Sequence, residues 1–155
     1  MITKSMNKTN QTNNAEPMKK ILIVEDDQNI ANALAIRLKS AGYEVTVAAD
    51  ALTGVVAARR IQPDLAVLDI SLPAGNGFTV AEKIRELVAT ATPIIFLTAS
   101  KQPGLRQEAQ GLGAAFFEKP YDADELLAAI RYAFGELPQR TAATRPPTAP
   151  CAAIN

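Results

Sequence analysis

The sequence predicts an α/β domain built as a doubly wound (βα)5 unit, in which helices cover both faces of a five-stranded parallel sheet. One observation is that short apolar runs recur without polar alternation, as in strands buried on both faces of a parallel sheet. These runs occupy residues 21–24, 65–68, 94–97 and 114–117. The other is that segments with apolar residues at helical spacing separate the strands, with short connections between them.

The first half of the chain gives two strand and helix pairs. The helix after residues 21–24 is predicted to end at Gly42, which readily takes the left-handed conformation. Residues 43–48 alternate more and predict an outer strand. A second helix is predicted over residues 51–61, ended by the Gln62-Pro63 pair because proline cannot continue a helix.

The second half continues the alternation with three further helices. Residues 71–77 form a turn-rich loop, and a helix follows it. The fourth helix is predicted over about residues 103–112, and the Pro-Gly pair that opens it is expected to delay its start. Asp122 and Glu125 resemble a capping box and predict the start of the fifth helix.

Both ends of the chain differ in composition from its centre. Residues 1–17 are rich in Asn, Thr, Lys and Gln, which predicts a disordered segment. Residues 136–155 shift to Pro, Ala, Thr and Arg and predict a flexible tail. The predicted folded domain therefore spans residues 18–135, and Met18 is a candidate alternative start.

The overall composition excludes several classes of function. Sixteen Lys+Arg balance sixteen Asp+Glu without a basic stripe, so direct nucleic-acid binding is not expected. No apolar stretch suits a bilayer span or a signal peptide, which predicts a cytoplasmic protein without a membrane segment. The lone cysteine, Cys151, excludes an internal disulfide and a thiolate zinc site. The absence of histidine excludes a Ser-His-Asp triad and a histidine metal site.

Polar side chains stand at or directly after the ends of the apolar runs. Glu25 and Asp26 follow the first run, and Asp69 follows the run at 65–68. Thr98 and Lys119 come at the ends of the last two strands. Because the carboxyl ends of parallel strands lie along one edge of a sheet, these groups are expected to gather at a single site.

This combination of groups is suited to phosphoryl transfer. Carboxylates brought together repel one another unless a cation joins them, and Mg²⁺ is the cation that an all-oxygen shell favours. The carboxylate of Asp69 can then accept a phosphoryl group as a nucleophile. Lys119 and Thr98 can each stabilise one phosphoryl oxygen, since such transfer depends on positioning and charge neutralisation.

Each residue also has an ordinary structural interpretation. Asp27, beside the first helix, is predicted to be its N-cap, and Phe116 in an apolar strand is by default a packing residue. The joint pattern is more specific than its parts, because each polar group ends a different predicted strand.

Four segments together resemble a known family. They are ILIVEDD at 21–27, PDLAVLDISLP at 63–73, LTA at 97–99 and FFEKP at 116–120. They resemble the receiver domain of two-component response regulators over about residues 18–134. The resemblance implies a flavodoxin-like receiver fold with strand order 2-1-3-4-5.

The resemblance also implies a role for each matching residue. Asp69 would be the phosphoacceptor. Mg²⁺ would be held by Glu25, Asp26, Asp69 and the backbone carbonyl of Ser71, with Asp26 as the more direct ligand of the acidic pair. Thr98 and Phe116 would be the switch residues, and Lys119 the lysine of the phosphorylation site.

The partners follow from the same resemblance. A histidine kinase or phosphotransfer protein would supply the phosphoryl group, which agrees with the absence of histidine from this chain. A downstream protein partner would bind the surface of the fourth helix, fifth strand and fifth helix, and a phosphorylation-dependent homodimer is compatible with it. Ala115, on that surface, stands where the family often has an acidic residue. Such a protein is not an enzyme, because it catalyses only its own phosphorylation and dephosphorylation.

Other classes fit the residues less well. A haloacid-dehalogenase-type phosphatase needs a second Asp two positions after the nucleophile, where this chain has Ser71. A dinucleotide-binding domain needs a glycine-rich turn after the first strand, where Glu25 and Asp26 would repel a pyrophosphate. Two alternatives stay open: a phosphorylation-independent receiver-like interaction module, and the receiver portion of a longer regulator with its effector domain missing.

Overall fold

A computed structural model describes residues 15–89 and 91–136 of the chain. Its sheet strands are β1 Lys20–Val24, β2 Glu44–Ala48, β3 Leu65–Asp69, β6 Ile94–Thr98 and β7 Ala115–Glu118. A short hairpin of β4 Ser71–Leu72 and β5 Gly75–Asn76 follows β3. The helices are α1 Gln28–Ser40, α2 Ala51–Ile61, α3 Gly77–Leu87, α4 Leu105–Gly111 and α5 Ala123–Ala133.

The five-stranded sheet has the order β2-β1-β3-β6-β7, and all neighbouring strands are parallel. Without the hairpin strands this is the order 2-1-3-4-5, so the predicted fold class and strand order are confirmed. No helix within the described residues is long and apolar enough to cross a membrane. The predicted tails, together with Cys151, lie outside the described residues except for 15–17 and Glu136.

Apolar side chains pack on both faces of the sheet. On one face, Leu68 and Phe96 belong to a buried cluster with residues of α2 and α3, and the rings of Phe96 and Phe78 lie 4.7 Å apart between centroids. On the other face, Ile23 and Val67 belong to a second cluster with residues of α1 and α5. Each fully buried side chain of this size contributes roughly 1.5–3 kcal/mol to the stability of the fold. The central strands, and with them the residues at their ends, therefore have well-defined positions.

The helix ends follow the sequence signals. Asp27 accepts hydrogen bonds from the backbone N–H groups of Asn29 and Ile30, which confirms the predicted N-cap of α1. Gly42, just after α1, has φ 96° as predicted. Gln62 takes the left-handed conformation at φ 50° and ends α2 before the proline that follows it.

Two predicted features differ from the structure. The run at 114–117 was expected to form a strand buried on both faces, and this is wrong: β7 is an edge strand with Ala115 exposed and Phe116 and Phe117 only half-buried. An edge strand has one neighbour, so its outer side stays open to solvent. The turn-rich loop after β3 contains the hairpin of β4 and β5. As expected, α4 starts late, with Gly104 at its N-cap and φ 91°.

Candidate metal centre and phosphoacceptor site

Three of the predicted site residues meet at the carboxyl end of the sheet. Glu25 follows β1, Asp69 ends β3 and Lys119 follows β7. The Lys119 ammonium donates hydrogen bonds to Glu25 Oε2 at 2.6 Å and to Asp69 Oδ2 at 2.7 Å. Both carboxylates are buried, with exposures of 3% for Glu25 and 6% for Asp69. The prediction that these distant residues gather at one site is confirmed.

The second oxygen of each buried carboxylate accepts a hydrogen bond from a backbone N–H group. The backbone N–H of Ser71 donates to Asp69 Oδ1 at 2.9 Å, and the backbone N–H of Asp27 donates to Glu25 Oε1 at 3.1 Å. The backbone N–H of Lys119 donates to the carbonyl of Thr98 at 2.8 Å, which ties the lysine to the end of β6. The two carboxylates and the ammonium are therefore oriented by the fold itself.

Burial and hydrogen bonding shift the pKa values of Glu25 and Lys119 in opposite directions. Burial raises the pKa of Glu25, and the hydrogen bonds from Lys119 and the Asp27 backbone only partly offset this rise. Burial alone would lower the pKa of Lys119, but its hydrogen bonds with Asp69 and Glu25 outweigh that effect and the pKa is raised. Lys119 thus carries a positive charge between two acidic groups.

The acidic groups are close enough to hold one metal ion. Glu25, Asp26 and Asp69 each offer a carboxylate oxygen, and these oxygens all lie within 4.8 Å of one another. Three carboxylates face one ammonium, so the site keeps an excess of negative charge. An all-oxygen donor set of this kind suits a hard cation such as Mg²⁺.

A cleft next to the acidic groups leads to solvent. Its volume is about 520 Å³, and Asp26, Ser71, Asn76 and Gln102 are among the residues that line it. Asp26 is exposed, unlike Glu25 and Asp69. An ion or an anionic group can therefore reach the site from this side.

The two predicted switch residues lie on the neighbouring strands. Thr98 is fully buried at the end of β6, and its hydroxyl accepts a hydrogen bond from the Ser100 backbone N–H at 3.0 Å. Phe116 is half-buried on β7, opposite Phe96 in the strand register. The structure thus brings the acidic groups and the lysine together directly, with Thr98 and Phe116 on the adjoining strands.

Gly77 is a site residue that the sequence did not single out. A Cβ atom at this position would lie 2.4 Å from the carbonyl oxygen of Asp69, far inside contact distance. Only glycine allows the start of α3 to approach the end of β3 so closely. The one signal in the sequence was a glycine at the junction of the loop and the helix.

The Lys119-Pro120 peptide bond is cis, which the sequence did not predict either.

Comparison with known proteins gives the family. A family model described as the response regulator receiver domain matches residues 21–131. The chain belongs to this family. It is 39% identical over 118 residues to the DNA-binding dual master transcriptional regulator RpaA of Synechocystis, with 74% of this chain and 48% of the relative covered. It is 42% identical over 113 residues to the transcriptional regulatory protein DltR of Streptococcus agalactiae, covering 72% of this chain and 50% of the relative.

Solved receiver structures match nearly over their full length. A CheY-like receiver domain protein from Methanospirillum hungatei has a TM-score of 0.72 and 31% identity, covering 77% of this chain and 96% of that one. The receiver domain of a Pseudomonas aeruginosa sensor histidine kinase, solved with a magnesium ion in its active-site cleft, has a TM-score of 0.68 and 30% identity, covering 77% and 99%.

The chain spans about half the length of the curated relatives it matches. The shared part is the signalling module of response regulators, which is not a classical enzyme. Receiver domains bind Mg²⁺ at an acidic pocket, and this chain has an acidic cluster of Glu25, Asp26 and Asp69.

Proposed function

We propose that this receiver domain is a phosphorylation-dependent switch with Asp69 as its phosphoacceptor. The main support is the position of the Asp69 carboxylate, which ends β3 with Lys119 Nζ 2.7 Å from Oδ2 and the Ser71 N–H 2.9 Å from Oδ1. The carboxylate is held in one orientation beside a cation and near an open cleft. Such positioning is what phosphoryl transfer to a carboxylate requires.

The phosphoryl group would come from a phosphohistidine of a histidine kinase or a phosphotransfer protein. An Asp69 oxygen attacks the phosphorus, the P–N bond breaks, and the imidazole leaves with the bonding electron pair and takes up a proton. The product is an acyl phosphate on Asp69. We expect this exchange to take place in the cytoplasm.

The remaining site residues would stabilise the charge of the transferred group. Lys119 pairs with one phosphoryl oxygen, and the Thr98 hydroxyl, which accepts a hydrogen bond from the Ser100 N–H, donates its own proton to another. Glu25, Asp26, Asp69 and the Ser71 carbonyl would hold Mg²⁺. When bound, this ion neutralises charge on the phosphoryl oxygens and on the carboxylates.

The output would be a change in a surface some distance from the phosphoryl group. Movement of Thr98 toward the phosphoryl oxygens leaves space into which Phe116 turns, and this favours one of two states of the surface formed by α4, β7 and α5. We propose that a downstream protein partner binds this surface, and that a phosphorylation-dependent homodimer is one form such binding can take.

Intact-protein mass spectrometry tests the proposal. After incubation with a small phosphodonor and Mg²⁺, the wild type should gain one phosphoryl group. Asp69→Asn should gain none, and a chelator should abolish the gain in the wild type. Asp124→Asn, which changes an exposed carboxylate on α5, is the matched control and should react like the wild type. If neither small donors nor a histidine kinase modified the wild type, a phosphorylation-independent interaction module would be the better explanation.

The lengths of the relatives favour a second candidate, in which this receiver is a portion of a longer regulator. RpaA and DltR bear names of transcriptional regulators, and the matched segment covers 48% and 50% of them. The coding sequence around this segment in its genome would test this directly. An adjoining effector domain in the same reading frame would support it, and flanking stop codons would contradict it.

A further inference from the structure

Three charged side chains contact one another on the surface beside Phe116. Lys101 Nζ lies 2.9 Å from Glu118 Oε2, and Arg106 Nη2 lies 3.4 Å from Glu118 Oε1. We call these three residues the Glu118 cluster. It connects the loop before α4, the helix α4 itself and the edge strand β7.

The cluster also holds a cation against an aromatic ring. The guanidinium carbon of Arg106 lies 4.7 Å from the centroid of the Phe116 ring, within the range of a cation–π interaction. Phe116 is half-buried in this state. Arg106 therefore contacts both the predicted switch aromatic and the Glu118 carboxylate.

Glu118 occupies a central position between the site and α4. It pairs with Thr98 in the register of β6 and β7, and it directly precedes Lys119. A ring that turned inward would lose its contact with Arg106. Conversely, a shift of α4 would draw Arg106 away from both Phe116 and Glu118.

We propose that Glu118 is a positioning residue that holds Arg106 on the Phe116 ring and so stabilises the unphosphorylated state of the receiver. This inference rests on the proposed function, because it assigns regulation to the same switch. Hydrogen bonding with Lys101 lowers the pKa of Glu118 below its ordinary value, so the carboxylate stays charged.

The expected effect is modest because the contacts are exposed. The side chains of Lys101, Arg106 and Glu118 keep 69%, 56% and 47% of their surface accessible. Exposed ion pairs and exposed cation–π contacts are weak, so loss of the cluster should shift the switch equilibrium by roughly three- to tenfold. A small phosphodonor should then modify the protein faster by about that factor, since more molecules occupy the competent state.

Two single variants and their combination separate this effect from general electrostatics. Glu118→Gln and Arg106→Gln should both raise the initial phosphorylation rate, and the double variant should exceed neither by much because both act through one contact. A general charge effect on an anionic donor would change the rate in opposite directions, because one variant removes a negative charge and the other a positive charge. Glu86→Gln, which breaks the exposed pair with Lys83, is the control and should leave the rate unchanged.

A second measurement does not depend on phosphorylation. In protein with isotope-labelled phenylalanine rings and no phosphodonor, the Phe116 NMR signals of both single variants should move in the same direction from their wild-type positions. Unchanged ring signals would overturn the proposal. Equal phosphorylation rates in the wild type and both single variants would also overturn it. So would a rate that rises in one single variant and falls in the other. If the wild type were never phosphorylated, the proposed function itself would be contradicted. The variants are not needed for that conclusion, so the two failures can be told apart.

Discussion

Gly77 opens α3 directly against the backbone of Asp69. A Cβ at this position would lie 2.4 Å from the Asp69 carbonyl oxygen and 3.0 Å from the Ile70 Cα, and neither backbone atom can move cheaply. Gly77→Ala should therefore lower the free energy of unfolding by about 1–3 kcal/mol, the usual cost of overpacking. It should also slow phosphorylation, because Asp69, the proposed phosphoacceptor, must shift. Urea denaturation and the mass assay measure the two effects.

Gly111 offers a matched glycine on α4. A Cβ there meets nothing within 4 Å, and its φ is not positive. Gly111→Ala should leave stability unchanged or raise it by roughly 0.5–1 kcal/mol, as expected for glycine to alanine in a helix. Equal losses in the two variants would show that the close approach to Asp69 is not the cause.

Lys119 compensates two buried negative charges. Lys119→Met would leave the carboxylates of Glu25 and Asp69 without the cation that now contacts them at 2.6 and 2.7 Å. Removing one partner of a buried pair costs on the order of 3 kcal/mol, and that loss should appear in metal-free urea titrations. Added Mg²⁺ should recover part of it, because a second cation can take over the compensation.

Lys83 provides the exposed counterpart for that experiment. Its pair with Glu86 at 2.8 Å lies at the surface of α3, with 49% of the Lys83 side chain and 60% of the Glu86 side chain accessible. Lys83→Met should cost little stability, because exposed ion pairs are weak, and it should not respond to Mg²⁺. A loss in Lys119→Met no larger than this would mean that the buried carboxylates do not depend on the lysine.

At the scale of the element, the start of α5 depends on one side chain. Asp122 Oδ1 accepts hydrogen bonds from the backbone N–H groups of Asp124 at 2.8 Å and Glu125 at 3.0 Å. Asp122→Ala should cost about 1 kcal/mol, whereas Asp122→Asn keeps the acceptor and should cost only a few tenths. Thermal and urea unfolding of both variants would distinguish loss of the cap from loss of the charge. If the charge were the cause, Asp122→Ala and Asp122→Asn would lose the same stability.

Helices were predictable because their ends carry local signals. The second helix was predicted over residues 51–61 and is Ala51–Ile61, with left-handed Gln62 closing it. The edge position of β7 was not predictable from its apolar run, because burial of a strand depends on how many neighbours the whole sheet gives it. Nor was the hairpin of β4 and β5, since two-residue strands have no periodicity to read.

The candidate site was predictable to the same extent as the topology. Residues at the ends of parallel strands had to meet, and Glu25, Asp69 and Lys119 do so. The tight contact at Gly77 and the Glu118 cluster could not be found in this way, because both depend on the exact approach of neighbouring backbones and long side chains.

At the scale of the whole molecule, the site exists only when the chain is folded. Glu25 and Lys119 are 94 positions apart, and Asp69 and Lys119 are 50 apart, yet they are in direct contact. A ligand that binds these groups together therefore binds the folded state and not the unfolded chain. Ligand binding of this kind must appear as added stability of the entire domain.

Mg²⁺ should accordingly raise the melting temperature of the wild type in a concentration-dependent way. At a free concentration of about 100 times Kd, the added stability is about 2.7 kcal/mol. Asp26→Asn replaces an exposed carboxylate by a neutral amide, a weaker ligand for Mg²⁺, without breaking a buried contact, so it should reduce this increment while leaving the metal-free stability nearly unchanged. Asp64→Asn is the control, because the Asp64 carboxylate accepts a hydrogen bond from the Lys20 N–H at the opposite end of the sheet. Mg²⁺ should raise the melting temperature of this variant as much as that of the wild type. Equal increments in Asp26→Asn and the wild type would exclude Asp26 as a ligand, and no increment in the wild type would exclude the metal site itself.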